Sequence, residues 1–383
     1  MGNVRGVSVF DVPLDELRTR TSQKWRRYPA DVLPLFVAEM DVRLCEPVQR
    51  ALGDVVRRGD TGYPADRPYQ EAFAGFAQRR WGWTVDPTTI ALVPDVMQGS
   101  VEALSLVTEP GDAVVINPPV YPPFRDFVER SGRRVVTADL GADGRLDLVA
   151  LEAAFTHARA DARRAGYLLC HPHNPTGTVH TADELRAVGE LAARHGVRVV
   201  SDEIHAPLTL DGTFTSATTV IPDSIALHSA SKTFNLAGLK AALAVPGPAA
   251  VADLKQLSDL VFMGVGHVPV LVHAAVLAEG DAWLDALLDS LRENRTHLRG
   301  LLDQHLPLVG WVPGAATYFA WLDLRTQVPD DPDPGRRLLK EARVAVNPGP
   351  TFGSPGTGHV RLNFATSPAI LTEAIGRIAS VLA

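Results

Sequence analysis

From about residue 68 to residue 275 the chain alternates helix-period stretches with apolar runs of four to six residues. The runs at 90–93, 113–116, 166–170, 197–200 and 224–229 are too short for helices and end in turn residues, so each predicts a buried strand. Between them, helices are predicted from the turn at 94–100 through Val107, and from Thr181 to about His195. In the second, Thr181 followed by Glu184 forms a capping box. This alternation predicts an α/β fold with a doubly wound, mostly parallel sheet. Beyond residue 275 the texture changes. A helical stretch over 282–305, the segments 318–324 and 344–353, a period-two segment at 359–365 and a closing helix predict a smaller α+β domain. The expected division is a large domain over 46–275 and a small domain from 276–383 completed by an arm over 1–45. Within the arm, residues 33–41 read as a strand ending in Glu39 and Asp41, either entering something buried or closing in solvated carboxylates. A helix over about 47–58 then leads to a turn-rich segment, 59–64, that holds Tyr63.

Composition narrows the partners. The net charge of −7 argues against a nucleic-acid or anionic-membrane surface, which would call for a clustered basic face. No run is long enough without charge or proline to span a bilayer, and residues 1–6 lack an apolar leader core, so the cytoplasm is the expected compartment. Cys45 and Cys170 are the only cysteines and show no metal-ligand spacing, so buried apolar thiols are expected.

The candidate chemistry lies at predicted strand ends. The chain has five lysines, and two of them, Lys232 and Lys240, fall in one stretch after the run at 224–229. There Lys232 is either a surface residue or an amine placed to attack a carbonyl, which arginine cannot do. Asn174 follows the run at 166–170, and Asp202 follows the run at 197–200 with His205 three residues on. Asp202 lies 28 residues after Asn174, and Lys232 lies 30 after Asp202, each interval about one βαβ repeat, so the three side chains should reach the same sheet edge. The turn before Val96 and Met97 opens a helix whose free N–H groups suit a phosphate, a geometry common to βα turns in general. Prolines on both sides fix Tyr121 for stacking on a flat ring or for core packing. Tyr63 alone reads as packing. Arg361, mid-strand among apolar neighbours, needs either a salt bridge or an anionic ligand.

In order along the chain stand Ser22-Gln-Lys-Trp25, Leu33-Pro-Leu-Phe-Val-Ala-Glu-Met-Asp41, Gly62-Tyr-Pro64 and Pro119-Val-Tyr-Pro-Pro-Phe124. Asn174-Pro-Thr-Gly177, Ser201-Asp-Glu-Ile-His205 and Ser231-Lys-Thr-Phe-Asn-Leu-Ala-Gly238 follow. Together they resemble the fold-type I pyridoxal phosphate (PLP) enzymes of the aminotransferase class I/II superfamily, and within it the cystathionine β-lyase-like C–S lyases. The resemblance covers nearly the whole chain. Thr61-Gly62 stands where the usual pattern has Phe-Gly or a similar dipeptide before Tyr-Pro.

The resemblance implies roles. Lys232 would bond the cofactor and shuttle the Cα proton, Asp202 would keep the pyridine nitrogen protonated, Asn174 would bind the phenolic oxygen, and Tyr121 would stack on the ring. His205 would support the ring or orient the carboxylate. The phosphate would fall to the N–H groups of Val96 and Met97, to Ser229 and Ser231, and to Lys240, where many relatives have arginine. Tyr63 would reach the phosphate of a neighbouring subunit, implying a homodimer. Arg361 would grip the substrate α-carboxylate, with Ala38 on the substrate side. Two reactions share this core: C–S β-elimination, favoured by the branch resemblance, and transamination. A non-catalytic PLP-sensing regulator is disfavoured, because too little chain precedes the PLP domain for a DNA-binding module.

Overall fold

A computed structural model of the chain describes residues 8–382. The expectation for residues 1–6 and the start of the proposed arm lie outside the described residues. Seven strands form the main sheet: β1 (Ala91–Val93), β2 (Ala113–Ile116), β3 (Arg134–Thr137), β4 (Ala165–Cys170), β5 (Val197–Asp202), β6 (Ile225–His228) and β7 (Ala242–Pro246). Their order across the sheet is β1-β7-β6-β5-β4-β2-β3, with only β7 running antiparallel to its neighbours. The alternation of apolar runs with helices thus yields the doubly wound α/β sheet it predicted.

One face of the sheet packs on the helix Val96–Val107, and the other on the helices Leu148–Ala160 and Ala182–His195. Burial on both faces explains why the strands read as unbroken apolar runs. Gly99 brings the first helix close: a Cβ there would lie 2.7 Å from Val93 Cγ2 and 2.8 Å from Leu227 Cδ1. That approach sets the helix N-terminus against the carboxyl end of the sheet. Thr181 caps the helix Ala182–His195 through the expected box with Glu184.

A second, antiparallel sheet has the order β9-β10-β8, built from β8 (Phe319–Asp323), β9 (Asn347–Pro348) and β10 (His359–Asn363). The expected strand over 33–41 shrinks to Leu33–Pro34, which pairs in parallel with Val344–Ala345. Residues 36–41 form an irregular strap instead. Asp41 is not solvated at a strand end. It is buried in an ion pair with Lys24 (2.8 Å) and accepts from Trp25 Nε1 at 3.2 Å. Among the described residues no helix is long and apolar enough to cross a membrane.

Candidate active site

Strands β4, β5 and β6 are neighbours, and Cys170, Asp202 and Leu227 stand level across their carboxyl ends. Asn174 follows β4, Asp202 ends β5, and Lys232 follows β6, so the interval argument places all three at one edge. Tyr121 joins them from the loop after β2, where the strand order reverses, the crevice in which doubly wound sheets take ligands. A cavity of about 120 Å³ opens there, lined by Ala38, Val96, Met97, Tyr121, Asn174, Asp202, His205, Ser229, Ser231, Lys232 and Lys240.

Burial sets the charge states. Asp202, 5% exposed, is desolvated, which pushes its carboxyl up to about 7 against the opposing effects of the Ile204 N–H (3.1 Å) and nearby Lys232. Desolvation, then the positive charges of Arg361 and Lys240, bring the Lys232 amine down to about 8. A lysine so tuned presents much neutral amine near pH 8, as a nucleophile or base requires. Its Nζ donates to Ala38 O at 3.5 Å.

Arg361 lies on β10, 2% exposed, with its guanidinium 4.0 Å from the Phe319 ring centroid and 5.2 Å from that of Phe352. Nη1 donates to Asn174 Oδ1 (2.9 Å) and Nη2 to Phe36 O (3.0 Å), while Nε has no acceptor. Among the described residues no carboxylate pairs with it, so the salt-bridge alternative fails. Burial alone brings the guanidinium down to about 10. A buried cation held only by neutral acceptors is a seat for an anionic ligand. Because Asn174 Oδ1 serves Arg361, its amide NH₂ remains to donate into the cavity.

Other expected residues arrive with qualifications. Lys240 is 64% exposed and ion-paired with Asp95 (2.8 Å), a residue that also caps the helix at Gln98 N (2.9 Å). Asp95 thus takes two donors from the anion cradle that Val96 and Met97 open. Its place directly before that helix, as an N-cap aspartate, was the signal for it. Ser229 Oγ lies 2.8 Å from Ala241 O, where it can spend its single proton, leaving Ser231 as the freer hydroxyl donor. His205 makes no bond to Asp202. Its ring lies edge-on to Phe319 and Tyr318, and its Nδ1 has no partner among the described residues. The expected orienting of Asp202 therefore falls to the Ile204 N–H. Tyr63 is not brought to the cavity: it is 84% exposed, beside a separate hollow bounded by Met263 and His267. Cys170 is buried, as expected, but also lines the cavity, with its thiol pushed up by desolvation.

The profile of the family "Aminotransferase class I and II" matches residues 51–378. The chain belongs to this family. A Mycobacterium tuberculosis protein named "Putative cystathionine beta-lyase" is 50% identical, with 97% of each chain covered. A Corynebacterium glutamicum protein named "Cystathionine beta-lyase" is 37% identical over 96% of this chain and 99% of its own. Among solved structures, a Corynebacterium diphtheriae protein named "putative plp-dependent beta-cystathionase" superposes with a TM-score of 0.91. It is 34% identical and covered over 99% of its length by 98% of this chain. The fold is that of the fold-type I enzymes.

Proposed function

We propose that this chain is a PLP-dependent C–S β-lyase that cleaves cystathionine or related cysteine S-conjugates. The observation that carries the reading is Arg361, a buried guanidinium without a carboxylate partner among the described residues, which shares Asn174 with the cavity where Lys232 and Asp202 meet. The names of its relatives support a lyase over a transaminase. The residues fit PLP: a depressed lysine amine for the aldehyde, a carboxylate for the ring nitrogen, the Asn174 NH₂ for the phenolic oxygen, and helix N–H groups with Ser231 and Lys240 for the phosphate.

When bound, PLP supplies a ring that accepts the electrons left at the substrate Cα. Arg361 would hold the α-carboxylate through its guanidinium and so seat the substrate beside Lys232. The neutral Lys232 amine would take the Cα proton, and the Asp202 carboxyl would hold the proton of the ring nitrogen. Lys232 then delivers its proton to the departing sulfur as the Cβ–S bond breaks. The balance is R–S–CH₂–CH(NH₃⁺)–COO⁻ plus water giving R–SH, pyruvate and ammonium. Tyr121 would stack on the ring, and Ala38 would border the substrate through the carbonyl that Lys232 meets. The same reading divides the chain into a cofactor-holding domain, 46–275, and a small domain, 1–45 plus 276–383. It also makes the molecule a homodimer in which exposed Tyr63 reaches the neighbouring phosphate.

Purified protein with PLP and L-cystathionine tests this. Equal amounts of free thiol and pyruvate are expected. A keto acid that keeps its sulfur, with no thiol released, would instead establish the transaminase.

A further inference from the structure

Two buried polar residues on helices outside the cavity meet the loop that carries both of its lysines. Tyr69 belongs to the helix Pro68–Trp81 and His273 to the helix His267–Glu279, and both are fully buried. The loop between β6 and β7 runs from Ser229 to Ala241, its base closed by Ser229 Oγ and Ala241 O at 2.8 Å. The Ala230 N–H donates to Tyr69 Oη at 3.2 Å. His273 Nδ1 lies 3.0 Å from the same Tyr69 Oη, and His273 Nε2 lies 3.0 Å from Leu239 O.

The proton positions follow from the partners. A carbonyl only accepts, so His273 Nε2 carries the proton and donates to Leu239 O. Neutral His273 then offers Nδ1 as an acceptor, which Tyr69 Oη–H fills while its oxygen receives the Ala230 N–H. Burial brings His273 down to about 4, so the ring is neutral near pH 7. Every donor in the chain meets one acceptor, from Ala230 through Tyr69 and His273 to Leu239. A packing role would be served by phenylalanine and leucine without the cost of burying polar atoms.

We infer that Tyr69 and His273 are positioning residues that clamp both ends of the lysine loop and so hold Lys232 at the cavity. Ala230 is two residues before Lys232, and Leu239 is the residue before Lys240, so each anchor adjoins one cavity lysine. The clamp rests on the proposed function only for its purpose; its geometry stands without it.

The test compares Tyr69→Phe, which removes one hydroxyl, with Thr181→Ala, which removes a helix cap remote from the loop. Each should lower the thermal midpoint of the full-length protein, since one loses a buried hydrogen-bond partner and the other a helix cap. Only Tyr69→Phe should also speed amide exchange in the 229–241 segment, by about tenfold for ~1.4 kcal/mol of lost local stability, and shift the pH at which bound PLP changes colour. His273→Gln keeps a donor for Leu239 O and loses the Tyr69 link, so it repeats the test if Tyr69→Phe does not fold. A lowered midpoint with exchange and colour midpoint both unchanged would overturn the clamp. If the wild-type protein takes up no PLP, the proposed function fails while the exchange comparison still decides the clamp.

Discussion

Asp202 and Lys232 depart from their ordinary ionisation in opposite directions, and burial causes both. Asp202 is raised to about 7 from 3.8, so its contribution to folding is complete below about 3.8 and is lost as pH rises through about 7. Lys232 is lowered to about 8 from 10.5, so its contribution is complete above about 10.5 and is lost as pH falls through about 8. Near pH 7.5 the cofactor-free chain therefore carries two poorly solvated groups, the usual stability cost of a working site. Asp202→Asn should stabilise the cofactor-free chain, by on the order of 1–3 kcal/mol more at pH 8 than at pH 5. Thermal midpoints at the two pH values check this, and an equal gain at both would contradict it. Asn174, Asp202 and Lys232 were legible in the sequence because each follows a short apolar run whose strand could be recognised. The arginine site was legible only as a residue. Phe36 contributes a backbone oxygen 325 positions away, and no sequence pattern marks a carbonyl.

At the scale of elements, the strap over 36–41 joins the two halves of the site. Phe36 O accepts from Arg361, Val37 O and Glu39 O from Asn363, Ala38 O from Lys232, and the Met40 N–H donates to Asn235 Oδ1. Beneath it the Lys24–Asp41 pair is buried at 1% exposure on both sides, and Lys24 also donates to Glu39 O at 3.2 Å. Removing one partner leaves a buried charge alone. Lys24→Met is expected to cost about 3–5 kcal/mol in chemical denaturation, and Lys24→Met with Asp41→Leu should recover much of that loss. A double variant as unstable as the single one would contradict the pairing argument. The sequence marked 33–41 as important and assigned it the wrong conformation. Its apolar pattern matches a strand, but its carbonyls are claimed by side chains from elsewhere in the chain, so the ladder ends after Pro34. Propensity does not register such long-range acceptors.

For the whole molecule, alternating runs and helices were enough to foresee a doubly wound sheet, because burial on both faces leaves an unbroken apolar signature. The strand order and the reversed β7 were not foreseeable, since they depend on pairing between segments distant in the chain. Tyr63, exposed and apart from its own cavity, belongs to this scale too. If sites are shared between copies, mixing inactive Lys232→Ala with impaired Tyr63→Ala and allowing subunits to exchange should restore one complete site per mixed dimer. Activity no greater than that of the two variants assayed separately would contradict sharing.

The account turns on Lys232 as the residue that meets the cofactor. Protein loaded with PLP should be reduced with borohydride, digested and mapped by mass. The account predicts one phosphopyridoxyl group, carried on the peptide that contains Lys232 and absent in Lys232→Ala. A label on another lysine, or a label that survives Lys232→Ala, would contradict it.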